Sequence, residues 1–218
     1  MAHYPDKVLR GLNHLKNYTG ASQAVLALKG KYKKAFKALK DSLEISGLDI
    51  KLFEMEDYFP AGDEQSMVYD ITGRVVPEGS IPLLVGAVVS NIETIYNVSL
   101  ALEENLPVID KYITVGGDVK EPVTIKVPVG TEIKWLLDFL EVDSKDKVIL
   151  DGGPMMGNII SPNSVITKLT GGLLLFAKDH PAVTVKEHSL DYIFKMAKIS
   201  CIQCRYCTEQ CPRYLLGH

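Results

Sequence analysis

The first 200 residues of this 218-residue chain contain no cysteine, and the whole sequence has a single tryptophan, Trp135. Without dispersed cysteines there is no disulfide framework of the kind that holds small secreted domains together. No run of 18 apolar residues occurs, which excludes a simple membrane-spanning helix. The opening stretch MAHYPDKVLRGLNHL has no apolar h-region, so it does not read as a secretory signal and a cytoplasmic location is expected. Neither G-x-G-x-x-G nor G-x4-G-K-[ST] is present, and no nucleophile–base pair or carboxylate pair stands out. His14, His180 and His188 are scattered without metal spacing, and the terminal His218 is uninformative. Hydrophobic residues at 46% and charged residues at 23% describe an ordinary globular chain, long enough to bury a core.

Charge is unevenly spread. Residues 1–40 carry nine basic side chains and one acidic one, net +8, whereas the remainder carries fifteen basic and twenty-six acidic, net −11. The densest basic part is KGKYKKAFKALK, Lys29 to Lys40. Tyr32, Phe36 and Leu39 follow helical spacing in it, so the lysines read as an opposite, solvated face; docking of an anionic partner or cofactor is the sharper alternative. The stretch lacks the density of interleaved aromatics that binding of nucleic acid would need.

Patterning divides the chain in three. Residues 1–110 read as an α/β unit, incomplete on its N-terminal side. A helix from Asp6 to Tyr18 turns Val8, Leu12 and Leu15 inward and stops at Gly20; QAVLALK and LDIKLFEM are strands flanking the lysine-rich helix. A turn and short helix follow in YFPAGDEQSMVYDITG; IPLLVGAVVSN reads as a buried strand and NIETIYNVSLALEEN as another helix. Residues 111–180 read as a small α+β module of the β-grasp kind. It has a hairpin (KYITVGGDV, PVTIKVPV), a helix capped by Thr131 with Ile133, Leu136, Leu137 and Leu140 inward, and further strands KVILDGG and GGLLLFAK. In DGGPMMGNII a tight turn is the plain reading, with Met155 and Met156 as a polarisable surface the sharper one. Residues 181–218 contain an amphipathic helix, EHSLDYIFKMAKI, with Leu190, Ile193, Phe194 and Ala197 inward, leading into the cysteines.

All four cysteines fall in SCIQCRYCTEQCP, at Cys201, Cys204, Cys207 and Cys211. The spacing C-x2-C-x2-C-x3-C-P is the bacterial ferredoxin run for a [4Fe–4S] cluster. Two residues between cysteines let the chain curl around the cube so that three thiolates reach three irons, and the proline redirects the chain. Structural zinc is the rival, but it takes two C-x2-C pairs with a longer spacer. A role without metal is the third reading. Where two clusters are built, the fourth cysteine of a run bonds the other cluster. Cys201, Cys204 and Cys207 would then need a fourth ligand and Cys211 three more, and the sequence holds no other cysteine. The expectation is a fragment with incomplete clusters.

Six further landmarks carry a resemblance: FPAGDE (Phe59–Glu64), TGRVVP (Thr72–Pro77), VVSNIETIYN (Val88–Asn97), GGPMMG (Gly152–Gly157), TKLTGGLLLF (Thr167–Phe176) and CIQCRYCTEQCPRYLLGH. With these the chain resembles the RnfC family of Rnf-complex proteins, and within it most the cobalamin-reductase branch of propanediol-utilisation microcompartments. That family is itself related to the NADH-binding flavoprotein subunit of respiratory complex I. The resemblance implies a flavin-binding α/β domain, an SLBB-type β-grasp domain and a helical iron–sulfur segment. It implies electron transfer from NADH through FMN and 4Fe–4S clusters to a corrinoid or to a redox partner protein, inside a microcompartment or peripheral to the membrane. Phe59, Gly62, Asp63 and Glu64, then Val89, Ser90, Asn91 and Thr94, are the positions it places against FMN. Read from the residues alone, both are helix starts whose N–H groups suit a phosphate or a flavin edge, or simply a cap. The family's glycine-rich loop for flavin and nicotinamide phosphates has no counterpart here. FMN and NADH binding is therefore implied for a longer protein, and this chain alone is expected to be inactive. A non-catalytic assembly module, with zinc or no metal on the cysteines, is the competing class.

Overall fold

The computed structural model describes residues 1–217; His218 lies outside them. Two compact units result: Met1–Pro107 with the segment from Gln203 on, and Val108–Ile202.

In the first unit, α1 (Pro5–Thr19) starts with proline at its first turn, where a missing N–H costs nothing, and ends at Gly20 in the left-handed region, φ 65°. Then come β1 (Val25–Lys29), α2 (Lys33–Ser46) and β2 (Lys51–Met55), a β-α-β unit whose strands pair in parallel from Val25 opposite Lys51 to Lys29 opposite Met55. Next are α3 (Glu64–Thr72) and α4 (Ile92–Glu104). Val8, Leu9, Leu26, Leu28, Leu39, Ile50 and Ile95 form the core. Leu12 and Leu15 pack against it, as their helical spacing predicts. Gly11 lets α1 and α4 touch: a Cβ there would lie 2.0 Å from the carbonyl oxygen of Ile95. Polar contacts tie the same helices. Glu103 accepts from Arg10 Nε at 2.9 Å and from the buried Ser99 hydroxyl at 3.1 Å, and meets His14 Nε2 at 2.9 Å.

Two expectations fail in this unit. IPLLVGAVVSN is not a buried strand. Pro82 opens a 3-10 turn, Pro82–Val85, and Gly86 ends it at φ 73°, leaving Leu83, Leu84 and Val88 exposed. A fixed proline φ and a left-handed glycine cannot both sit in one extended strand. Tyr32 does not join the buried face of α2: it stands just before the helix, exposed, with Lys31 Nζ 5.7 Å from its ring centre. Lys33, Lys34, Lys37 and Lys40 are solvated, as the plain reading has it.

The second unit holds a mixed sheet. Its strands are β3 (Asp110–Gly117), β4 (Val123–Pro128), β5 (Lys147–Asp151), β6 (Asn158–Ile160) and β7 (Gly172–Ala177), in spatial order β4-β3-β7-β5-β6. β3 and β7 are parallel, and the other pairs are antiparallel. α5 (Ile133–Phe139) buries Ile133, Leu136 and Leu137 in one cluster with Ile113, Val115, Ile149, Ile166, Leu173 and Leu175. Its cap residue is Glu132 rather than Thr131, whose hydroxyl instead donates to the Pro128 carbonyl at 2.8 Å. Gly157 closes the turn from β5 to β6, where a Cβ would come within 2.6 Å of the Asp151 carbonyl oxygen. Met155 and Met156 stand out from that turn, exposed.

The expected amphipathic helix is two helices, α6 (Pro181–Glu187) and α7 (Leu190–Ser200). His188 breaks it by taking extended backbone, and Ser189 restarts it by accepting from the Tyr192 N–H at 3.2 Å. Leu190, Ile193 and Phe194 do not face inward: α7 has no buried residue. Periodicity predicts that a face is apolar; it cannot supply the surface that covers it.

Candidate functional site

The carboxyl end of a parallel strand pair is where open α/β sheets place ligands. In the first unit that edge is formed by Lys29 and Met55. Just beyond it lies a hollow of about 390 Å³ lined by Lys29, Tyr58, Phe59, Pro60, Ala61, Gly62 and Asp63. Phe59 is exposed on its wall, and Ala61 is fully buried behind it. Gly62 is open, with nothing within 4 Å of where a Cβ would be. Lys29 Nζ is steadied by Asp57 Oδ1 at 3.1 Å and by the Tyr58 carbonyl at 3.2 Å. Lys31 Nζ meets the same Asp57 carboxylate at 3.0 Å. Hydrogen bonds from Lys31 and then Lys29 hold the Asp57 carboxyl below its usual range. The Tyr58 hydroxyl donates to Asp70 Oδ2 at 2.7 Å, and this bond, ahead of burial, pushes its pKa up to about 12. Tyr58 is thus a neutral donor at ordinary pH.

Asp63 ends the hollow and starts α3. Its Oδ2 accepts from the N–H groups of Gln65 (3.1 Å) and Ser66 (3.2 Å), which is an N-cap. Its Oδ1 accepts from Arg213 Nη2 at 2.9 Å. Glu64, exposed, lies in the first helical turn, where the helix dipole favours a negative charge. The second expected segment is likewise a cap: Asn91 Oδ1 accepts from the Glu93 N–H at 2.9 Å and opens α4. Ser90, Asn91 and Thr94 are exposed and Val89 is half-buried; none of the four lines the hollow. The two segments therefore differ, since Phe59, Gly62 and Asp63 bound a cavity and residues 89–94 form an open helix start.

The cysteine run follows α7. Cys201 closes that helix in extended backbone. Gln203 and Arg205 adopt positive φ, 57° and 65°, a conformation that costs a residue with a side chain about 1 kcal/mol. These left-handed steps wind the backbone between Cys201, Cys204 and Cys207. Cys207 lies in α8 (Tyr206–Glu209), and Cys211 stands at the head of α9 (Pro212–Leu215). All four cysteines are free thiols; the first three are exposed and Cys211 is half-buried. Backbone N–H groups of Tyr214 and Arg213, then the Arg213 charge, lower the Cys211 pKa and favour its thiolate. Among the described residues no three His, Cys, Asp or Glu side chains converge as a metal site. The donor set itself fits iron–sulfur chemistry: four accessible thiols, wound at short spacing, one of them biased toward the thiolate.

Comparison with known proteins adds a family to this geometry. The model of the Nuo51 FMN-binding domain matches residues 1–100. Cobalamin reductase PduS of Citrobacter freundii is 38% identical over the whole of this chain and 48% of its own length. The RnfC-type component of the proton-translocating ferredoxin:NAD(+) oxidoreductase complex of Clostridium ljungdahlii is 32% identical, over 96% of this chain and 44% of its own length. This chain belongs to the RnfC family. It spans about half the length of the curated relatives it matches. An NAD+-reducing [NiFe]-hydrogenase in the H2-reduced state shares the fold of this RnfC-type chain at a TM-score of 0.68, with 18% identity, over 94% of this chain and 42% of the hydrogenase chain. No helix among the described residues is long and apolar enough to cross a membrane.

Three participants were not visible as site residues in the sequence. Lys29 had one available signal, its place as the last residue of a strand. Tyr58 paired with Asp70 had none. Arg213 had none either, lying 150 residues from Asp63.

Proposed function

We propose that this chain carries the flavin and part of the iron–sulfur path of an electron-transfer oxidoreductase. Electrons would pass from NADH through FMN and 4Fe–4S clusters to a corrinoid, as the name of the PduS relatives suggests, or to a redox partner protein as in the Rnf-type relatives. The observation that carries this reading is the cysteine run, four free thiols on a wound backbone, in a chain whose residues 1–100 match an FMN-binding domain. A bound flavin accepts hydride and hands electrons on, so the chain's own residues have to hold, orient and insulate it.

On this reading Phe59 packs against the flavin, and Gly62 leaves backbone room for it. Asp63 and Glu64 keep the turn in register with α3. Lys29 supplies positive charge at the strand edge. Val89, Ser90, Asn91 and Thr94 offer a second helix start to the same group. Cys201, Cys204 and Cys207 bond one cluster and Cys211 a second. We assign residues 1–110 to the flavin domain, 111–180 to an SLBB-type β-grasp domain and 181–218 to the start of the iron–sulfur segment. The strand order β4-β3-β7-β5-β6 around a central parallel pair, with α5 across the sheet, supports the β-grasp assignment. A cytoplasmic site, within a microcompartment or at the membrane surface, suits the two groups of relatives.

The test is anaerobic reconstitution of the chain with iron and sulfide, with FMN titrated separately. Broad brown absorbance with bound iron and sulfide, lost in Cys207→Ser, is expected. Stoichiometric zinc without colour overturns the cluster assignment. Quenching of flavin fluorescence, weakened about tenfold in Phe59→Ala, supports the hollow as the flavin site; quenching that Phe59→Ala leaves unchanged moves the flavin elsewhere.

A further inference from the structure

We propose that Arg213 is a positioning residue that latches the cysteine segment onto the turn lining the hollow, so that Cys211 and the Tyr58–Asp63 turn move as one body. The inference deepens the function proposed above and rests on it. One Asp63 carboxylate serves both sides: Oδ2 caps α3 through Gln65 and Ser66, and Oδ1 receives Arg213 Nη2 at 2.9 Å. Arg213 lies two residues after Cys211, in the short helix that Cys211 heads. The guanidinium thus reaches the turn, while the same residue's backbone N–H addresses the Cys211 sulfur.

Shielding decides whether such a pair matters. The Asp63 side chain is 26% exposed and that of Arg213 44%, so the bond is charge-assisted and partly withdrawn from water. Asp63 cannot rotate to follow a moving partner without giving up its cap bonds. A shift of the cysteine segment is therefore passed to residues 58–66 instead of being absorbed by a side chain. Electron passage between a flavin and a cluster depends on a fixed separation, and this contact ties the two chain segments concerned.

Hydrogen exchange of the full chain tests the latch, read at residues 58–66 and 211–217 before and after anaerobic loading with ferrous iron and sulfide. In the native chain, loading the cysteines slows exchange at residues 58–66. Arg213→Gln abolishes that response and speeds exchange at both segments about fivefold before loading. Arg213→Lys restores most of the response. Asp63→Asn, which keeps a capping oxygen, behaves like Arg213→Gln. Equal bound iron in all variants separates the latch from a folding defect. A response at residues 58–66 that persists in Arg213→Gln overturns the latch. Failure of FMN to bind any variant overturns the flavin reading and leaves the exchange result to decide the latch. A native chain that takes up no iron overturns both.

Discussion

In the second unit the aliphatic side chains of β3, β5, β7 and α5 meet in one cluster, fully buried at Ile113, Val115, Leu137, Leu173 and Leu175. In the first unit only two strands are present among the described residues, and the helices around them are held as much by Glu103, Arg10, His14 and Gly11 as by Leu9 and Ile95. The candidate flavin turn lies in the unit with the smaller sheet and more polar contacts. This division has a physical basis. A turn that must admit a ligand keeps Phe59 exposed and Gly62 open, and cannot also be filled by packing. Its order comes from directed bonds such as Asp63 to Gln65 and Tyr58 to Asp70.

Four substitutions would break or sharpen that contrast. Leu173→Ala, at the centre of the larger core, should cost about 3 kcal/mol, measured by urea unfolding followed at the β3 and β7 amides. A loss as small as the polar substitutions below would erase the distinction. Gly11→Ala should cost about 2 kcal/mol, because its methyl group forces α1 away from the Ile95 carbonyl; exchange at α1 and α4 amides reports it. Glu103→Gln should cost about 1 kcal/mol near neutral pH and less in acid. Burial raises the Glu103 pKa, but bonds from His14, Arg10 and Ser99 outweigh it and the net shift is downward from 4.5. The stabilisation of this depressed carboxylate is complete above 4.5 and is lost as pH falls through its folded value, so mutant and native stabilities should converge there. Tyr58→Phe should cost only about 0.5 kcal/mol, as the pair is exposed. The raised tyrosine pKa places this effect below pH 10, fading between 10 and about 12 as the native hydroxyl ionises, which a pH series of melting curves would show.

Much of the scaffold was legible from local chemistry. Gly20 stops α1 where it was expected to, and the stripe Ile133, Leu136, Leu137 is buried as spaced. Asp63 and Asn91 are the caps that their residue types suggest. What was illegible needed a partner from elsewhere in the chain. IPLLVGAVVSN reads as a strand by hydrophobicity, yet Pro82 and Gly86 turn it. Leu190, Ile193 and Phe194 share a helical face, yet none is buried.

The sequence by itself determined the donor set: four thiols at a spacing that suits iron and sulfide, since ligand type and loop length are properties of a short run. It also determined the helix starts, because a cap is made within three residues of its helix. Only the tertiary structure decided that Lys29 stands beside the Tyr58–Asp63 turn and that Arg213 reaches Asp63. Those contacts join residues separated by about 30 and by 150 positions, and no local propensity encodes which distant charge a carboxylate will meet.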